Sequence, residues 1–127
     1  MEKKKHCILV VDDDVNVVEI LKVNLLESGY DVVTAYDGQD GLKKFADKKP
    51  DLIITDILMP RIDGYHFCWD IFFEDGLYAN PSPKIIILTG RDKKLDRGIS
   101  DKIGVDAYIT KPFDINYVID KVKKILG

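Results

Sequence analysis

Cysteine is scarce in this sequence, neither sign of charge dominates, and no apolar run is long. The only two cysteines, Cys7 and Cys68, lack the close spacing that a metal clip needs. They read as reduced thiols of a cytoplasmic protein rather than as a disulfide framework. Lys and Arg number 19 against 22 Asp and Glu, giving a net charge of −3. A general binder of nucleic acid or of anionic membranes would need a basic surplus, so neither function is expected. No segment approaches the length of a membrane span. The basic start, residues 1–6, leads into an apolar run that Asp12 interrupts too early for a signal peptide. Linkers, repeats and low-complexity stretches are also missing, so residues 1–127 are read as one domain. A chain of that length can bury roughly two-thirds of its unfolded surface without cross-links.

What the sequence does have is alternation. Continuous apolar, β-branched runs at Cys7–Val11, 31–36, 51–55, Lys84–Thr89 and Ala107–Thr110 have the character of strands covered on both faces. Between them lie helical patterns. Val17, Val18, Leu21 and Leu25 predict a helix over 14–28, with Asp14 as N-cap and Gly29 just past its end. A weaker pattern covers 41–46 and stops before Pro50. Three more span 64–73, 92–103 and 114–126. Five βα units in succession imply a parallel sheet with right-handed crossovers and helices on both faces.

The strand ends carry the chemistry. The first ends in Asp12-Asp13-Asp14, the third in Asp56 with Pro60 four residues on, the fourth in Thr89, the last in Lys111-Pro112. In an open α/β sheet, groups at the carboxyl ends of strands meet at a topological switch point. Crowded carboxylates repel unless a cation sits among them. Magnesium suits an all-oxygen set, with manganese as the alternative ion. Helix capping explains one acid of the 12–14 run but not all three. A lone lysine after a strand is often a solvated charge; at the same edge as three acids, Lys111 reads as their counter-charge.

At these residues the chain resembles the receiver domain of two-component response regulators. The matching pieces are Ile8 to Asp14, Asp56 to Gly64, Ile85 to Gly90 and Asp106 to Phe113, in order and at strand ends. The resemblance implies a flavodoxin-like (βα)5 three-layer sandwich with strand order 2-1-3-4-5. It implies that Asp56 accepts a phosphoryl group from a phosphohistidine of a sensor histidine kinase or phosphotransfer protein. Asp13, Asp56 and the Leu58 backbone carbonyl would ligate the metal, with Asp12 acting partly through water. Thr89 and Lys111 would hold phosphoryl oxygens, and the Lys111–Pro112 bond would be cis. Thr89 and Tyr108 would form the switch, the threonine hydroxyl moving toward the phosphoryl group and the tyrosine turning into the space left. Such a module is not an enzyme in the ordinary sense; it catalyses only its own phosphorylation and dephosphorylation. Its output passes to a downstream protein or an output domain, or through a homodimer formed by the fourth helix, fifth strand and fifth helix.

Two features depart from the family pattern. Gly90 stands where alanine or serine is more usual and should leave the site more open; Arg91 follows it. Trp69, Phe72 and Phe73 form a second apolar stripe on the third predicted helix, beside the expected core residues Phe67, Cys68 and Ile71. Either the long connection over 74–83 folds back across these aromatics, or they form a patch for a partner. Gly98, inside the fourth predicted helix, weakens that helix by about 1 kcal/mol relative to alanine, which suits a region that rearranges. Two other functions compete. Asp12-x-Asp14 imitates the nucleophile motif of haloacid-dehalogenase-type phosphatases, but the chain has no room for a cap. A receiver that signals without phosphorylation would not need all five site positions filled.

Overall fold

The structure, a computed structural model, describes residues 5–56, 83–90 and 105–127. The predicted helices over 64–73 and 92–103, Leu58, Arg91, Gly98 and the aromatic stripe of Trp69, Phe72 and Phe73 lie outside the described residues. Chain order runs β1 (Cys7–Val11), α1 (Val15–Glu27), β2 (Asp31–Ala35), α2 (Gly38–Lys48), β3 (Leu52–Asp56), β4 (Lys84–Thr89), β5 (Ala107–Thr110) and α3 (Ile115–Leu126). The strands form one parallel sheet in the order β2-β1-β3-β4-β5. That is the flavodoxin-like topology expected, with the order reversing between β1 and β3.

Both faces of the sheet are covered, which is why its strands are apolar throughout. On one face Ile8, Val10, Leu52, Ile54, Ile86, Leu88 and Ile109 pack against Val18, Leu21 and Leu25 of α1 and Val118, Ile119 and Val122 of α3. On the other, Leu9, Val11, Ile53, Ile85 and Ile87 meet Phe45 of α2. Successive strand residues alternate between these clusters, as the pleat requires.

Local chemistry sets the boundaries. Asp14 caps α1 by accepting from the Asn16 and Val17 N–H groups, and Gly29 follows with φ 95°, a left-handed value suited to glycine. α2 is longer than its apolar spacing suggests. Asp37 caps it by accepting from the Asp40 N–H, and Lys49 ends it in the left-handed conformation. β3 begins one residue late, because Asp51 serves another purpose: its carboxylate accepts from the Cys7 N–H at 2.8 Å. Asp106 does the same for the Ile85 N–H at 2.8 Å. At the amino edge, then, carboxylates answer strand N–H groups. At the opposite edge backbone carbonyls emerge, and carboxylates there need another counterpart.

Candidate functional site

β1 and β3 are central neighbours, and their ends carry Asp12 and Asp56. Pairing of Val11 with Thr55 fixes the two strands in register and sets the acids side by side. Asp12 is fully buried and Asp56 nearly so, whereas Asp13 is exposed at the mouth. One oxygen of each of these three carboxylates lies within 4.8 Å of the others. The run of three acids thus divides its work. Asp14 caps α1 and its N–H holds Asp12 Oδ1 at 2.9 Å, while Asp12 and Asp13 face the cluster.

Lys111 arrives from the end of β5. Its backbone N–H donates to the Thr89 carbonyl at 2.8 Å, tying the exit of β5 to the end of β4. The Lys111–Pro112 peptide is cis. From there the ammonium reaches Asp12 Oδ2 at 2.7 Å and Asp56 Oδ2 at 3.2 Å, joining positions 99 and 55 residues apart in sequence. Burial pushes the Asp12 carboxyl above its ordinary value; hydrogen bonds from Lys111 and the Asp14 N–H offset this only partly, and Asp56 adds repulsion. Burial also pulls on the Lys111 ammonium, but hydrogen bonds and attraction from the two acids outweigh it and raise its pKa. The two shifts have one physical origin. A single cation shared by two carboxylates gains from both, while Asp12 carries the cost of desolvation and crowding.

Thr89, at the end of β4, is buried. Tyr108 is half-buried and packs with the α2-side cluster; burial raises its phenol to about 12. Sequence reasoning missed a third hydroxyl. Thr55 is the one polar residue of the stretch Leu52–Asp56 that precedes the acid, is fully buried, and donates from Oγ1 to the Asp56 carbonyl at 3.0 Å. The signal that could have revealed it was a hydroxyl in a strand otherwise built of leucine and isoleucine.

The donor set fits a hard divalent cation: three carboxylates, oxygen only, with no cysteine or histidine among them. A match to the response regulator receiver domain family spans residues 8–123. The chain belongs to that family. Receivers carry phosphorylation-dependent signals and bind magnesium at an acidic pocket, and this one is the receiver domain of a two-component response regulator. It is 41% identical over 126 residues to the alkaline phosphatase synthesis transcriptional regulatory protein PhoP of Bacillus subtilis, covering 99% of this chain and 49% of that protein. The chain therefore spans about half the length of that relative. Among solved structures it resembles a CheY-like receiver protein of Methanospirillum hungatei, with a TM-score of 0.87, 29% identity and coverage of 97% and 94% of the two chains. It also resembles the response regulator TrrA of Thermotoga maritima, solved with magnesium and a beryllium fluoride, with a TM-score of 0.80, 38% identity and coverage of 94% and 98%. The phosphatase reading of Asp12-x-Asp14 gives way to this assignment, and Asp14 is occupied as a helix cap. Among the described residues, no helix is long and apolar enough to cross a membrane.

Proposed function

We propose that residues 1–127 form one receiver domain in which Asp56 is the phosphoacceptor. The observation that carries this reading is the Lys111 ammonium set between Asp12 and Asp56, a contact made by topology alone. An Asp56 carboxylate oxygen attacks the phosphorus of a phosphohistidine on a sensor histidine kinase or phosphotransfer protein. The P–N bond breaks, its electron pair returns to the imidazole, and an acyl phosphate remains on Asp56. Magnesium would be held directly by Asp13, Asp56 and the Leu58 carbonyl and partly through water by Asp12, and would supply charge neutralisation for the transferring group; manganese is the alternative ion. Lys111 exchanges its contact with Asp56 for a phosphoryl oxygen. The Thr89 hydroxyl donates to another, and Tyr108 turns inward as Thr89 moves. The same groups, with water in place of the leaving imidazole, serve dephosphorylation.

The output is a protein contact rather than direct nucleic-acid binding by this domain. It passes to a downstream protein, to an attached output domain, or through a homodimer across the fourth helix, β5 and α3. The greater length of PhoP, a transcriptional regulatory protein, favours an attached domain. The setting is the cytoplasm. The test is direct labelling with magnesium and acetyl phosphate. One phosphoryl adduct should form on the native protein, and none on Asp56→Ala. A folded native protein that binds magnesium but takes no label would overturn the assignment.

A further inference from the structure

We infer that Thr55 is a positioning residue for phosphoryl transfer, acting through the backbone of Asp56; the inference rests on Asp56 being the phosphoacceptor. Thr55 occupies the cross-strand row Val11–Thr55–Ile87–Tyr108, on the α2 side of the sheet. The pleat turns Asp56 to the other side. Thr55 therefore reaches the reacting residue only through the main chain. Its hydroxyl does so, donating to the Asp56 carbonyl at 3.0 Å with both groups buried.

The consequence is mechanical. Pairing of Asp56 with Leu88 holds the residue in the sheet. The bond from Thr55 to its carbonyl adds a restraint on the peptide plane leaving Asp56. The Cα–Cβ direction, and with it the carboxylate, is then fixed relative to Asp12, Asp13 and Lys111. Transfer by positioning and charge has little tolerance here, because misplacing a reacting group by about 1 Å can cost on the order of a hundredfold in rate. The preceding strand residues, Leu52, Ile53 and Ile54, are all aliphatic and fully buried. Valine would fill the same space as threonine at position 55, and would leave the carbonyl without its hydroxyl.

The experiment compares two pairs that differ only in the hydroxyl: the native protein against Thr55→Val, and Thr55→Ser against Thr55→Ala. Magnesium affinity by calorimetry and the initial rate of labelling by acetyl phosphate at saturating magnesium are measured, with melting temperature in chelator as the control. Loss of the hydroxyl should weaken magnesium binding, slow labelling, or both, by about threefold to tenfold, and serine should restore most of the loss seen with alanine. Valine matching the native protein in both quantities would overturn the inference, as would serine and alanine being equally impaired, which would mean packing alone. Should valine fail to fold, the serine–alanine pair decides the matter by itself. A native protein that takes no label brings down the Asp56 assignment and this inference with it, whereas a native protein that labels and binds magnesium no better than Thr55→Val brings down the inference alone.

Discussion

Asp12 is the residue most compromised by this architecture. It lies fully out of water, shares its counter-charge with Asp56 and, among the described residues, has a single backbone N–H on its second oxygen. Its carboxyl is consequently raised above 3.8 by burial first and by Asp56 last. A carboxyl that binds its proton more tightly when folded makes the folded state progressively less favourable as pH climbs from the unfolded pKa to the folded one. Lys111 has the opposite bearing. Its raised pKa gives stability that is complete through neutral pH and lost only as pH passes above 10.5, so it adds no slope in acid. Asp12→Asn removes the carboxyl titration, and its effect on Lys111, which loses one of its two acid partners, falls outside the acid range. In chelator, the stability of this variant relative to the native protein should increase from about pH 4 upward, then level off. Urea unfolding at four or five pH values measures it. A flat or falling difference would mean that burial does not strain this carboxylate.

Among the elements, α1 shows how far pattern carries and where it stops. Its inner stripe of Val18, Leu21 and Leu25 is buried against the sheet and α3, yet Val15, Ile20, Val23 and Leu26 on the outside are apolar as well. Leu25 is fully buried and its neighbour Leu26 is 47% exposed. Leu25→Ala should therefore cost about 2–5 kcal/mol, and Leu26→Ala about 0.5 kcal/mol or less, by chemical denaturation. Equal losses would place the second face of α1 in the core. Sequence alone located this helix and its inward stripe, because Val17, Val18, Leu21 and Leu25 recur at helical spacing and Asp14 and Gly29 mark its ends; the outer apolar residues do not share that stripe. It underestimated α2 for the opposite reason. Gly38 and Gly41 are buried yet have no side chain to announce a face, and Asp37 starts the helix earlier than the spacing of Leu42 and Phe45 indicates. The charged site residues were legible because each interrupts or ends an apolar run. Thr55 was not, since threonine is itself a good strand former and blends into a β-branched run. The hydrogen bond that distinguishes it exists only once Asp56 is placed.

Across the whole molecule, the sheet order makes one ammonium span a considerable distance. β4 lies between β3 and β5, so the end of β5 is about 10 Å from the end of β3 at ordinary strand spacing. The backbone bond from Lys111 to the Thr89 carbonyl draws the lysine inward, and its long side chain covers the remainder. The ends of β1, β3, β4 and β5 are thereby joined through one residue. A divalent ion at Asp12, Asp13 and Asp56 would add a second tie among the β1 and β3 ends, relieving the repulsion that Lys111 alone only partly offsets. No such cluster of oxygens survives unfolding, so binding should stabilise the folded state by mass action, by about 2.7 kcal/mol at a hundred times the dissociation constant. For a domain of this size the shift in melting temperature is on the order of 10 °C. Asp13→Asn keeps the buried pair with Lys111 but removes an exposed ligand, so it should melt within a few degrees of the native protein in chelator while losing most of the magnesium response. A magnesium titration followed by thermal melting separates the alternatives. Equal shifts in both proteins would place the ion elsewhere, because a site that includes Asp13 cannot be indifferent to the loss of its charge.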